Sequence, residues 1–311
     1  MPSIKRNRID GKGQLVPFPS GAVRGKRSMP GEAEIREALS QADILAGGSK
    51  EILEVGRYIV RAARCDHPVI ITGETGNESG PVAQMIHRLG NRSRGPFVDV
   101  DAAGNAQWLT DEDNEKNACQ NCGSILRKMT RSLFERARGG TIFIRDVEQL
   151  PSRTQYRLLR LLDDRSRSPS ATASDARVIV STTKDLSEEV AEGRFIPGLY
   201  YELSVIDIDL PPLRARRSDI PILIDHFLDE IKRRCQLAHR HRITPEAVDL
   251  LSRYDWPGNV WELETAVNRL AGAVPDDGCI TEKHARDVLA RLESLDKPRP
   301  EMSRCESQGK W

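Results

Sequence analysis

The chain has 311 residues, 38% of them hydrophobic and 30% charged, with 47 Lys and Arg against 46 Asp and Glu for a formal net charge of +1. This length suits one α/β domain with a small satellite and tails, and the balanced charge excludes a molecule drawn as a whole to nucleic acid. The sequence contains no apolar run of the roughly eighteen residues a membrane span needs, and no secretory signal follows the basic N-terminus. The six cysteines, at 65, 119, 122, 235, 279 and 305, are too scattered for a disulfide scaffold. Together these features point to a reducing cytoplasm.

Residues 1–30 carry Lys5, Arg6, Arg8, Lys12, Arg24, Lys26 and Arg27 against Asp10 alone. They read first as a disordered, solvated arm and second as a weak phosphate-contacting arm for nucleic acid. The spacing of Ile35, Ala38, Leu39 and Ala42 predicts a helix over 32–45, and Ile52, Val55, Ile59 and Val60 predict another over 50–64. Val69-Ile70-Ile71-Thr72 reads as a buried strand running into Gly73-Glu74-Thr75-Gly76. The helix after it carries Val82, Ala83, Ile86 and Leu89, with Pro81 tolerable in the first turn. Strands are predicted at 97–100, 141–144, 177–181 and 205–208, with helices between them, the clearest at 125–138 and 152–163. This alternation argues for a parallel sheet covered on both faces. After Leu210-Pro211-Pro212 the pattern turns helical, at 218–235, 244–254, 258–273 and 281–292, predicting a small strand-free helical domain. His239, Arg240 and His241 fall in a polar link and read as solvent-facing.

A strand, Gly73-Glu74-Thr75-Gly76 and a helix give the context of a phosphate-binding loop. Further words follow in order: Gly139-Gly140-Thr141-Ile142-Phe143-Ile144, Arg177-Val178-Ile179 with Thr182, Leu199-Tyr200-Tyr201, Leu210-Pro211-Pro212-Leu213-Arg214 with Arg216-Arg217 and Asp219-Ile220-Pro221, and Trp256-Pro257-Gly258-Asn259-Val260 with Glu262-Leu263. Together, over roughly residues 45–292, they resemble the central AAA+ domain of sigma-54-dependent transcription activators, the bacterial enhancer-binding proteins. The resemblance implies an α/β fold, an AAA+ P-loop-type parallel sheet with flanking helices, followed by a small helical lid. The expected division is a disordered basic arm (1–30), a nucleotide-binding-like α/β subdomain (31–212), a lid (213–292) and a flexible tail (293–311).

The same resemblance locates the phosphate chemistry, and there the sequence departs from the family. The loop spans Gly73, Glu74, Thr75, Gly76, Asn77, Glu78, Ser79 and Gly80, with Glu78 and Ser79 where the family has Gly-Lys. Backbone N–H groups and that lysine are what hold a polyphosphate. A carboxylate about 4 Å from a phosphate charge instead repels it by roughly 4 kcal/mol at an effective dielectric near 20. In the acidic pair, Arg145 takes the place of the magnesium ligand, and a guanidinium cannot ligate a metal. Asp146 takes the second place, either as a proton acceptor or as a plain helix N-terminal carboxylate. Thr183 stands at the sensor asparagine, while Ile196 and Glu202 stand at the arginine fingers, each finger typically worth about 10³–10⁵ in rate. Trp261 replaces the lid arginine and reads first as lid packing, second as a base-stacking platform. The expectation is an AAA+ chain that no longer hydrolyses ATP, binding ATP or ADP weakly at most, with or without magnesium.

In the resembling family a Gly-Ala-Phe-Thr-Gly-Ala loop tip faces the sigma factor. The insertion keeps its length here, but its tip, within 119–126, lacks the aromatic, which argues against sigma-54 RNA polymerase as partner. Cys119 and Cys122 at that tip have no second pair to complete a zinc site. They read as exposed thiols, with a redox or metal role as the alternative. The expected partners are further copies of the chain or a related AAA+ activator, without membrane contact. A second functional reading is an ATP-dependent activator that tolerates these changes, and a third is ATP-independent nucleic-acid binding through the arm. About twenty residues follow the lid and little precedes the α/β part, so enhancer recognition and signal input are expected from elsewhere.

Overall fold

The computed structural model describes residues 7–9, 15–17, 47–105, 133–167, 175–237, 239–275 and 278–296. The helix expected at 32–45 lies outside them, as does most of the one expected at 125–138. Within the basic arm, expected to be without structure, strands β1 (Asn7–Ile9) and β2 (Leu15–Pro17) pair as an antiparallel hairpin.

The central sheet grows from short apolar runs. Strands β3 (Val69–Thr72), β4 (Phe97–Asp101), β5 (Thr141–Arg145), β6 (Arg177–Thr182) and β7 (Ile206–Asp209) are all parallel, in the order β4-β5-β6-β3-β7. Because successive side chains leave a strand on opposite faces, each run feeds two cores. Ile70, Val98, Val100, Ile142, Ile144, Val178 and Val180 meet one helical layer, and Val69, Ile71, Phe143, Ile179 and Ile208 meet the other.

The second layer consists of α1 (Lys50–Ala63) and α2 (Ser79–Leu89). Ser49 caps α1, its hydroxyl accepting the Ile52 N–H at 3.3 Å, and Ile52, Val55, Ile59 and Val60 form the buried stripe. A short α3 (Ala102–Asn105) and α4 (Leu133–Arg136) flank β4 and β5 in sequence. On the first face, α5 (Ser152–Arg167) contributes Leu158 and Leu162, and α7 (Pro197–Leu203) contributes Leu199 and Leu203. Between them lies α6 (Leu186–Ala191), capped by the Asp185 carboxylate on the Ser187 N–H at 2.7 Å. The buried Arg177 at the start of β6 donates to the Ala62 carbonyl at 2.7 Å, tying the sheet to the C-terminal end of α1. β7 starts one residue later than expected, because Val205 turns on the Leu203 carbonyl and stays exposed.

After two 3₁₀ turns, Leu213–Ala215 and Arg217–Asp219, the chain forms α8 (Ile220–Cys235), α9 (Pro245–Arg253), α10 (Asn259–Gly272) and α11 (Glu282–Asp296). They enclose their own core around Trp256, Phe227, Leu228, Leu251, Leu263 and Leu270. The helical part is not strand-free. β8 (Arg242–Ile243) and β9 (Cys279–Ile280) pair in parallel. That pairing draws His241 inward to 3% exposure, against the expected solvent-facing link, while Arg240 reaches Asp225 and Asp229 at the surface. No helix among the described residues is long and apolar enough to cross a membrane.

Phe143, in the middle of β5, is fully buried. Phe143→Ala should destabilise the α/β unit by about 3–5 kcal/mol, read as a lowered midpoint in guanidinium unfolding; a change under about 1 kcal/mol would contradict the assigned core.

Candidate functional site

The loop at the end of β3 is positioned by the strand it follows. Gly73 donates its N–H to the Thr182 carbonyl on β6 at 3.2 Å, and Asn77 donates to the Glu74 carbonyl at 3.1 Å. Gly76 has φ +81°, and a Cβ there would fall 2.1 Å from the Gly258 carbonyl oxygen. Only glycine allows both that backbone and that approach. The lid therefore touches the loop backbone to backbone.

Several bonds fix this approach. Trp261 donates its backbone N–H to the Gly76 carbonyl at 3.3 Å. The Asn259 side-chain amide donates to the Thr75 carbonyl at 3.0 Å and to the Glu74 carboxylate at 3.3 Å, while its oxygen accepts the Leu213 N–H at 2.9 Å. Arg214 grips the Glu74 carboxylate with both terminal nitrogens, at 2.5 and 2.7 Å, and holds that carboxyl below its usual range. Trp256 and Asn259, neither a glycine, sit at φ 53° and 50°. The Trp256 indole donates to the Leu251 carbonyl at 2.9 Å from a fully buried position, and the Glu262 carboxylate accepts the Gly258 N–H at 2.8 Å.

Glu78 is not where the like-charge argument put it. It ends the loop as the residue before α2, but its carboxylate makes no helix-cap bond. It turns inward, 6% exposed, and accepts from the Arg216 guanidinium at 3.0 Å. Arg216 is itself buried, and three residues on, the Asp219 carboxylate accepts the Gly48 and Ser49 N–H groups at 3.0 Å each and the Ser49 hydroxyl at 2.5 Å. Burial pushes the Glu78 carboxyl up to about 7, with Asp219 adding to the rise and Arg216 opposing it. The carboxylate that was expected to repel a phosphate is instead sequestered with a cation of its own chain.

Arg145 pairs with Asp99 at 3.1 Å. Asp146 takes a left-handed backbone (φ 53°, ψ 52°) before the Val147–Gln149 turn and makes no side-chain cap bond. Burial, then Glu148 and Asp101, raise its carboxyl, while Arg145 pulls it down. Thr183 donates its N–H and hydroxyl to one Glu148 oxygen at 3.2 and 3.0 Å. The Trp261 ring is 68% exposed, so its first reading as lid packing is overturned: the helix position that points a side chain at the loop leaves this one on the surface. Ile196 precedes α7, donating its N–H to the Gln155 side chain at 2.9 Å and packing on the sheet core, and Glu202 lies half-buried within α7. The loop, the acidic-pair positions and Thr183 lie at the ends of β3, β5 and β6, and the lid contributes Trp261 over Gly76. Cys119 and Cys122 fall outside the described residues. Sequence reasoning quoted Arg214, Arg216, Asp219 and Asn259 as family words but missed that Arg214, Arg216 and Asn259 tie the lid to the loop and that Asp219 ties the connector to the start of α1.

A family model described as the sigma-54 interaction domain matches residues 45–209, and one described as an AAA+ ATPase lid domain matches 214–300. The chain belongs to the sigma-54 interaction family. It is 36% identical over 82% of its length to the DNA-binding transcriptional regulator NtrC of Rhizobium meliloti, covering 52% of that protein. It is also 36% identical over 84% of its length to the nitrogen assimilation regulatory protein NtrX of Azorhizobium caulinodans, covering 59%. The chain thus spans little more than half the length of the curated relatives it matches. Among solved structures, NtrX of Brucella abortus in complex with ATP aligns with a TM-score of 0.65 at 29% identity, over 84% of this chain and 64% of that one. These matches establish an AAA+ fold with its helical lid.

The family implies a magnesium nucleotide in this loop. The lysine position holds the Ser79 hydroxyl, the metal-ligand position holds the Arg145 guanidinium, and Arg214 and Arg216 are engaged by the loop's own Glu74 and Glu78.

Folding raises the Glu78 carboxyl from 4.5 to about 7, so the folded chain holds a proton that the unfolded chain releases. The contribution of Glu78 to stability is therefore fully present below about 4.5 and is lost as pH rises through about 7. From about pH 8 to about pH 5, the wild-type chain should gain on the order of 1–3 kcal/mol relative to Glu78→Gln in urea unfolding. A gap between the two that does not move with pH would count against a buried Glu78.

Proposed function

We propose that this chain is a AAA+ module of the sigma-54-activator type that regulates transcription through protein–protein contacts, and that its own nucleotide site does not hydrolyse ATP. The observation that supports this reading is the buried Glu78–Arg216 pair in a loop with Ser79 at the lysine position. A triphosphate entering such a loop meets no lysine and has to compete with a carboxylate for Arg216. The Arg145–Asp99 pair adds that the magnesium-ligand position carries a cation. The partner in this reading is a second copy of the chain or a related AAA+ activator, in whose assembly a subunit that does not turn over would damp its neighbours.

A second reading has its own support, and the comparisons favour it more directly. The relatives are named as transcriptional regulators, and NtrX of Brucella abortus has been crystallised with ATP and with ADP. On that likeness the chain would bind nucleotide and act on sigma-54 RNA polymerase as an ATP-dependent activator.

Titration calorimetry with ATP, with and without magnesium, and a magnesium-dependent phosphate-release assay separate the two. The first reading expects a dissociation constant weaker than about 1 mM, an affinity of only about −4 kcal/mol, with no release above background. In this reading the Glu78→Gly, Ser79→Lys double variant gains measurable binding. Phosphate release by the purified wild-type chain would establish the second reading.

A further inference from the structure

The contacts around Glu78 join three parts of the chain that the sequence separates widely. Glu78 belongs to the loop and to the start of α2. Arg216 lies between the two 3₁₀ turns that connect the sheet domain to the lid, 138 residues further on. Asp219, whose N–H donates to the Arg216 carbonyl at 2.9 Å, holds residues 48 and 49 at the start of α1 through three bonds. The fit there is close, since a Cβ at Gly47 would fall 2.6 Å from the Asp219 carboxylate. The connector is thus held on one side by the loop and on the other by the cap of α1.

We propose that Glu78, Arg216 and Asp219 form a latch, built from the chain's own charges, that fixes the lid on the loop independently of any nucleotide. The proposal rests on the reading in which this site does not use ATP, and it names how the lid of that site is governed. The bonds of Asn259, the Trp261 N–H and the Arg214–Glu74 pair also join the lid to the loop, at Glu74, Thr75 and Gly76. Of these, only the Arg214–Glu74 pair lies at the rim, each residue 44% exposed, while Asn259 is buried like Arg216 and Glu78, which are 2% and 5% exposed. Exposed pairs contribute little and exchange readily with water, whereas a buried pair resists separation because each charge would be left without a partner. The Glu78 Oε1 and the Arg216 Nε and Nη1 atoms have no bonding partner and are inaccessible, so the pair is held by its surroundings as much as by its single bond.

Hydrogen–deuterium exchange on the full chain at about pH 8 tests this, comparing wild type, Glu78→Gln and the double variant Glu78→Gln, Arg216→Met. The double variant leaves no unpaired buried charge and guards against a result that reflects misfolding alone. Both variants should speed exchange of the connector, residues 210–222, by about tenfold or more, with protection at 177–182 in the sheet unchanged. Connector exchange equal to wild type in both variants would overturn the latch, and so would loosening confined to samples that have lost sheet protection. Wild-type exchange is expected to ignore about 5 mM magnesium ATP. If ATP slows it, the lid responds to nucleotide and the latch as proposed is overturned, whereas phosphate release by the wild-type chain would overturn the non-hydrolysing reading beneath it.

Discussion

A carboxylate and a guanidinium removed from water together recover by mutual attraction roughly what each gives up in hydration, and a hydrophobic pair in the same place is often at least as stable. The Glu78–Arg216 pair does not reach even that balance, because Glu78 Oε1 and two Arg216 nitrogens have no partner. Its worth is not overall stability but position. A lid resting on a loop could settle at many angles if only apolar surfaces met. One buried charge pair admits a single arrangement, since any other strands both charges.

The rest of the lid's seat conforms to that constraint. The turn that meets the loop runs through Trp256 and Asn259 in left-handed backbone, a conformation that costs a non-glycine residue about 1–2 kcal/mol. Each is held there by what it gains. Trp256 fills the centre of the lid core and spends its one donor on the Leu251 carbonyl. Asn259, a residue type that tolerates this region, uses both ends of its amide to join the connector at Leu213 to the loop at Thr75. On the loop side the matching concession is Gly76, where a side chain would collide with the Gly258 carbonyl.

Much of this was legible in the sequence. Apolar runs of strand length gave β3, β5 and β6 nearly to the residue, and helical periodicity gave α1, α2 and the lid helices, because both signals arise locally. The family words located the loop and the acidic-pair positions for the same reason. What could not be read was pairing across distance. Glu78 looked like a free charge aimed at a phosphate because nothing local shows that Arg216, 138 residues away, lies beside it. His241 sits in a stretch as polar as any surface link, and only the β8–β9 pairing carries it inside. Trp261 failed in the opposite sense: an aromatic beside an apolar helix stripe reads as packing, and one step of 100° around α10 is enough to leave it 68% exposed.

The partners acquired by the altered residues bear on how the site came to differ from its family. A polar group left over when a ligand no longer binds costs about 1–3 kcal/mol if it is buried and unsatisfied, so isolated changes should leave a trail of orphaned atoms. Here Arg145 has Asp99, Thr183 has Glu148, and Glu74 and Glu78 have Arg214 and Arg216. Among the described residues of the site, the orphaned atoms that remain are Glu78 Oε1, Arg216 Nε and Nη1, Asn77 Oδ1 and Glu148 Oε2. On the non-hydrolysing reading, altered residues such as Glu78 and Arg145 paired within the chain would refer the site's energetics to its own lid and sheet and not to a phosphate. Under the proposed function, that self-reference is what would let the framework of the family persist after its chemistry had gone.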